Sequence, residues 1–385
     1  VRLPDPVRLA RYEKSPDLGP KILFFSGGTA LREVSTSLIR YTHNSIHIVT
    51  PFDSGGSSAE LREAFHMPAI GDVRNRLMAL ADRSLLGNHE IFALFAHRLP
   101  KKGRPDTLHK EVNRLAKGNH RLVADIQDPM RKIIRHHLSV LLEKMPEDFD
   151  LRGASIGNLV LAAGYLENRR HMDPVIFMFS KLVQVRGIVR PVVNRYLHLI
   201  AELENGERVK GQHLLTGKEV PPITSKVARV YLSEDVVDAQ EVQTAIRSKM
   251  EQLIAQADLI CYPMGSFYSS MIANFLPKGV GRAVKQNPCP KVYIPSTGID
   301  PETYGFSVKE QVEALVGYLK KDDPGHMRTE DVLNFVLLDT EERNYGRKIS
   351  RNGMERLGVE VIHYPLVTRK SAPYVDAERL VPLLL

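Results

Sequence analysis

The 385-residue chain has two cysteines, Cys261 and Cys289, and no apolar run near the ~20 residues that cross a bilayer. Two thiols by themselves make neither a disulfide framework nor a metal site. These scarcities point to a reducing, cytoplasmic setting and no membrane partner. Residues 1–20 are polar, contain proline and lack the apolar core of a secretory signal, so they read as an extended N-terminal arm. Familiar catalytic signatures are missing too. There is no Ser-His-Asp order, Cys-His pair or His-Glu-x-x-His motif, which argues against covalent catalysis. No Gly-Lys-Ser/Thr follows a glycine turn at Walker A distance, and no Gly-x-Gly-x-x-Gly fingerprint occurs.

The formal net charge is +8, spread along the chain without a Lys/Arg block, zinc finger or aromatic RNA-binding motif. A basic excess favours anionic partners. A phosphorylated small molecule accounts for it as well as a polynucleotide does, and a solvated basic surface is the plainest account. Nucleic acid is the weakest functional reading. It requires steep salt dependence with long polyanions and no affinity for mononucleotides. Hydrophobic content of 43% and charged content of 25% fit a globular chain long enough for one large α/β domain or two smaller ones.

What is present is small residues at strand ends. Lys21–Phe25 reads as a buried strand and runs into Ser26-Gly27-Gly28-Thr29; Leu31, Val34, Leu38 and Ile39 then keep helical spacing. Ser45–Thr50 reads as a second strand, ending at Asp53-Ser54-Gly55-Gly56-Ser57-Ser58. Glycine turns at helix N-termini let backbone N–H groups approach an anion, and the helix dipole favours it. Turns at the ends of successive parallel strands would line one crevice. The plain alternative is tight turns without a ligand.

Gly71-Asp72-Val73-Arg74-Asn75 opens a helix with Asp72 as its N-cap or, if it faces the crevice, as a ligand-binding group for a ribose hydroxyl or a metal-bound water. About 85–150 the chain is His/Lys/Arg-rich and strandless, a helical insertion in which Asp128-Pro129 reads as cap plus first-turn proline. The adjacent His136 and His137 would face different directions there, which argues against a metal site. Gly157-Asn158-Leu159 begins another helix, and Asn205-Gly206 marks a hairpin. Ala239–Ala257 reads as a helix, and Asp258–Tyr262 as a strand ending at Gly265-Ser266-Phe267-Tyr268-Ser269-Ser270. Strands at Val292–Pro295, Leu333–Leu338 and Val361–Pro365 follow. The alternation implies a Rossmann-like three-layer α/β sandwich with a mainly parallel sheet, occupying residues 21–385.

In their order and spacing, these motifs resemble the family of 2-phospho-L-lactate transferase (CofD) and the gluconeogenesis-factor proteins (YvcK), over roughly Lys21–Leu338. The serine-rich second turn and Gly71–Asn75 are closer to the gluconeogenesis-factor branch. The long helical stretch and C-terminus resemble a CofD-like subgroup associated with ATP-grasp and HPr-kinase-like gene cassettes. The first branch implies a transferase that moves a phospholactyl-type group from a nucleoside-diphosphate-linked donor to an acceptor hydroxyl, with a divalent metal such as Mg2+. The second implies a non-catalytic regulatory protein that binds a nucleotide-sugar such as a UDP-sugar. Relatives are often dimers, so the resemblance also implies a homodimer.

Family members commonly carry two adjacent acids at the second turn, where this chain has Asp53-Ser54; Ala30 also replaces a glycine common in relatives. Asp53 is the candidate metal ligand and catalytic group, able to anchor Mg2+ if a diphosphate completes the shell. An Asx turn is its plain role. Arg74 and Asn75 suit phosphate binding or a surface ion pair. Asn158 suits a base, a hydroxyl or a cap. Gly265, Ser266, Ser269 and Ser270 suit a second phosphate, a ribose or helix capping. The leading expectation is direct transfer driven by positioning and charge stabilisation.

Overall fold

The computed structural model describes residues 3–217, 220–346 and 349–385. They form two compact units. The first comprises residues up to Phe52, Gly187–Val193 and Leu197–Leu385; the second comprises Asp53–Arg186 and Asn194–Tyr196.

The first unit is built on ten strands: β1 (Ile22–Ser26), β2 (Ile46–Val49), β3 (Ile188–Pro191), β4 (His198–Leu203), β5 (Arg208–Lys210), β6 (Val227–Ser233), β7 (Leu259–Tyr262), β8 (Lys291–Tyr293), β9 (Phe335–Asp339) and β10 (Glu360–Tyr364). Seven make a wholly parallel sheet in the order β10-β9-β8-β7-β1-β2-β3. β4, β5 and β6 make a separate antiparallel sheet, with the Asn205-Gly206 turn joining β4 to β5.

Both faces of the parallel sheet are covered, which explains why β1 and β2 are apolar runs rather than alternating ones. The period of two still sorts side chains between two cores. Leu23 and Phe25 join Ile46, Ile48, Ile254, Val280 and Val312 on one face. Ile22 and Phe24 join Val34, Leu38, Leu380 and Leu384 on the other. Helix Ala377–Leu384 packs beside helix Arg32–Leu38 on that second face. This is the α/β three-layer sandwich the sequence implies.

Two local readings change. The N-terminal arm is helical over Pro6–Lys14, because Asp5 accepts hydrogen bonds from the Val7 and Arg8 N–H groups and Pro6 takes the first turn. The expected helix Ala239–Ala257 shortens to Ser248–Ala255. Upstream, the Val242 and Ile246 N–H groups donate to the Leu232 and Lys278 carbonyls instead, and Ala239 has φ +50°.

The second unit is helical, with helices running from Gly56–Phe65 to Met172–Leu182. The expected insertion about 85–150 falls within that longer helical run. Among the described residues the only β-type pairings there are the isolated bridges Ala81–Val185 and Arg98–Ser155. Pro129 holds the cap position of helix Met130–Lys144, while Asp128 makes ion pairs with Arg131 and Lys132 rather than capping. Ile70, not Asp72, caps helix Gly71–Ala79, and Asp72 lies inside its first turn.

Candidate functional site

Strand order in the parallel sheet reverses between β1 and β7, the position where open α/β sheets bind ligands. The first and third small-residue turns leave the sheet at those two strand ends. They are fastened together: Asn274 Nδ2 donates to the carbonyls of Ser26 (3.2 Å) and Ser270 (2.8 Å). A Cβ on Gly27 would lie 2.5 Å from Ser270 Oγ and 2.7 Å from Ser270 Cβ, so only glycine permits this approach. The structure thus brings Gly27, Gly28 and Thr29 to one strand end and Gly265, Ser266 and Ser270 to its neighbour.

Beside them opens a cavity of about 460 Å³ lined by Thr29, Arg32, Gly265, Ser266, Thr297 and Tyr374, among others. That volume is in the usual range for small-molecule sites. Gly265 has φ +145°; its N–H donates to Ser296 Oγ at 3.0 Å, and Ser296 donates back to its carbonyl at 3.1 Å. Thr297 is anchored to the Pro373 carbonyl at 2.7 Å. The Tyr374 ring is 67% exposed and packs over Gly298, where an added Cβ would meet its Cε1 at 2.8 Å.

The third turn is not an open anion cradle along its whole length. Asp300 accepts from the Phe267 N–H, and Glu302 accepts from the Tyr268 and Ser269 N–H groups, all at 2.8 Å. Ser269 Oγ donates to the second Glu302 oxygen at 2.5 Å. Ser269 is completely buried in this contact, as is Glu302. Burial first, and the Asp300 carboxylate second, push Glu302 up to about 8. Gly265 and Ser266 border the cavity, while Ser269 holds the turn in shape.

In the second unit, Asp53 Oδ1 accepts the Gly55 N–H at 3.1 Å, an Asx turn at the start of helix Gly56–Phe65. Arg62 donates to the Asp53 carbonyl at 2.8 Å and its guanidinium lies over Tyr196. Burial lowers the Arg62 pKa, while Tyr196 and Asp53 hold it up. A Cβ on Gly71 would lie 2.3 Å from Ser58 Oγ and 3.4 Å from Asp53 Oδ2, so Gly71, Ser58 and Asp53 converge. Arg98 donates to Ser57 Oγ at 3.2 Å. One carboxylate, with Oδ1 taken by an Asx turn and Arg62 nearby, is a thin donor set for Mg2+, which takes one or two carboxylates together with substrate phosphates and water. Ser54, Gly55 and Gly56 complete this turn.

Arg74 and Asn75 do not form a surface phosphate clamp. Arg74 is buried, with one guanidinium nitrogen on Ser155 Oγ and the other on Asn75 Oδ1 at 2.5 Å. A Cβ on Gly157 would lie 3.0 Å from Arg74 Cδ and 2.8 Å from the Phe95 carbonyl. Arg74 therefore clasps helix Gly71–Ala79 to helix Ile156–Glu167. Asn158 is 1% exposed beside this clasp and does not cap its helix; Ser155 holds that position. Asp72 is buried and faces the fully buried Arg76, whose pKa burial lowers to about 10 against the pull of Asp72.

Arg32, Ser296-Thr297-Gly298, Asp300, Glu302 and Tyr374 went unrecognised in the sequence. Ser296–Gly298 had a signal, since small residues again follow a strand, β8. Asp300 and Glu302 had none, because their targets lie some thirty residues upstream. His136 and His137 do not diverge as the helical wheel suggests: both rings turn to Glu167.

Among known proteins, the family model described as "2-phospho-L-lactate transferase CofD" matches residues 22–367. A gluconeogenesis factor from Bacillus subtilis is 30% identical over 91% of this chain and 92% of its own length. A putative gluconeogenesis factor from Nostoc is 28% identical over 77% of this chain and 52% of its own length. A crystal structure of a UPF0052 family member from Bacillus halodurans matches 95% of this chain and 99% of that one, with a TM-score of 0.68 at 24% identity. At that identity the likeness concerns the fold. Among the described residues no helix is long and apolar enough to cross a membrane.

Proposed function

The chain belongs to the CofD family, and we propose that it is a regulatory nucleotide-sugar-binding protein of the gluconeogenesis-factor type. The observation that carries this reading is the cavity at the β1/β7 switch point. Its lining pairs glycine and hydroxyl groups suited to a diphosphate with Arg32, a cation, and with an exposed aromatic ring, Tyr374. Phosphate oxygens seek backbone amides, hydroxyls and guanidinium groups. A nucleobase gains from stacking on an aromatic face. The glycines admit the ligand close to the backbone, and Tyr374 supplies a wall for the base.

The regulatory branch is favoured over transfer by the second turn. Ser54 stands in place of a second acid, and Asp53 is engaged by the Gly55 amide beside Arg62. The donor set for an activating metal is thin, and metal-assisted transfer depends on one. Similarity to a gluconeogenesis factor over nearly the full length of both chains agrees with this reading.

The transferase reading is kept by the family description itself. Calorimetric titration with a UDP-sugar and with GDP, each in Mg2+ and in EDTA, separates the two. The binding protein takes up a UDP-sugar equally well in both buffers and leaves it intact after long incubation with hydroxyl acceptors. A transferred product by mass spectrometry would replace this reading with the transferase. Absence of binding by every nucleoside diphosphate tested would overturn both.

A further inference from the structure

We infer that His136, His137 and Glu167 form a binding site for a borderline divalent transition-metal ion, Zn2+ in the first instance. The two histidines are consecutive on helix Met130–Lys144, and Glu167 ends helix Ile156–Glu167, which packs against it. His136 Nε2 lies 2.5 Å from Glu167 Oε1, and His137 Nδ1 lies 3.1 Å from Glu167 Oε2. One carboxylate therefore presents a different oxygen to each imidazole. The donor atoms all fall within 4.8 Å of one another, and among the described residues this is the one His/Cys/Asp/Glu group of three so arranged.

That geometry answers the helical-wheel objection. Consecutive helical residues point about 100° apart at Cβ, but one histidine uses Nε2 and the other Nδ1. The different reach of those two atoms lets both rings converge. Ring centroids are 5.6 Å apart with planes tilted by 48°, and one nitrogen of each ring lies within 3.1 Å of the same carboxylate. Lys132, one turn before His136, is drawn away to Asp128 at 3.3 Å, which removes one competing cation.

The donor set selects the ion. Two imidazoles and one carboxylate suit Zn2+, Ni2+ or Cu2+, whereas Mg2+ and Ca2+ prefer all-oxygen shells. Three protein ligands leave a fourth position. It faces water, because the His136 and Glu167 side chains are 57% and 37% exposed. An ion held there would also brace the two helices against each other. The site lies wholly within the helical unit and is independent of the nucleotide reading.

The test is calorimetric titration of ZnCl2 into the tag-free full chain, stripped with EDTA and exchanged into non-chelating buffer. The expected result is one saturable site per chain. His136→Ala and Glu167→Gln, both partly exposed and checked for folding by circular dichroism, should each weaken it by at least the ~10–100-fold typical of losing a supporting group at a metal centre. Co2+ in place of Zn2+ should give the visible bands of a tetrahedral nitrogen/oxygen site, lost in both variants. Lack of saturable Zn2+ binding would overturn the assignment. Equal affinity in wild type and both variants would do so too, by moving the ion elsewhere.

Discussion

Replacing Glu302 separates two roles a buried acid can play. Its carboxyl receives the Tyr268 and Ser269 N–H groups and the Ser269 hydroxyl, and it is completely buried. Glu302→Ala leaves those three polar groups in the interior without that acceptor. At ~1–3 kcal/mol for each unsatisfied buried group, the loss should be at least ~3 kcal/mol, before any cavity term. Glu302→Gln keeps an oxygen for the two amides and turns its NH2 toward Ser269 Oγ, which accepts. It should cost less than about 1 kcal/mol at pH 7. The pH dependence has a definite sign. The folded-state pKa is raised from 4.5 to about 8, so the folded chain holds this proton more tightly than the unfolded chain. Its stabilising contribution is fully present below about pH 4.5 and is lost as pH rises through about 8. Glu302→Gln should flatten that decline. Urea denaturation followed by far-ultraviolet circular dichroism between pH 5 and 9 reads both effects, and suits a chain without tryptophan. If Glu302→Ala unfolds like wild type, the carboxyl does not hold the turn. If Gln is as damaging as Ala, the charged form is the working one and the argument fails.

Gly27→Ala drives a methyl group to 2.5 Å from Ser270 Oγ and 3.1 Å from its Cα, so it should cost about 1–3 kcal/mol of overpacking and weaken nucleotide affinity. Ser270→Gly in the same chain should recover both in denaturation and binding assays; no recovery would place the strain elsewhere. Tyr374→Ala should leave stability nearly unchanged and weaken UDP-sugar binding by about 1–3 kcal/mol in calorimetry. An equal loss for inorganic diphosphate would remove the base-stacking role. Asp72→Asn withdraws the carboxylate facing buried Arg76 and should lower stability by on the order of 3 kcal/mol. A shift in ligand affinity without that loss would return Asp72 to the binding machinery.

Most of the parallel sheet was legible because strands such as β1 and β7 are apolar runs that lead into turns of glycine and serine; β3 was not, being four residues long with Arg190 and Pro191 in it. Leu23 and Phe25 on one face and Ile22 and Phe24 on the other leave little choice of layer. The first and third turns were legible for the same reason. Their fastening through Asn274 was not, since that side chain reaches Ser26 across most of the chain. Motif chemistry did not reveal the partners of Arg74, Asn75 and Asp72. Arginine and acid in a first helical turn look like a ligand clamp, but Arg74 is buried against Ser155 and Asn75, and Asp72 is buried beside Arg76. Local pattern also overrated the helix at Ala239–Ala257, where distant carbonyls outcompete the i−4 partners. Asp5-Pro6 is a cap signal that the structure realises, while the same pair at Asp128-Pro129 makes no side-chain cap.

The central claim is that a nucleotide diphosphate ligand occupies the cavity beside β1, β7 and β8. Hydrogen–deuterium exchange of the full chain with and without a saturating UDP-sugar tests it most directly. The account predicts slowed exchange confined to the segments around Gly27–Arg32, Met264–Ser266 and Ser296–Pro301, with the same pattern in Mg2+ and EDTA. Protection that bypasses those segments under demonstrated binding would contradict it.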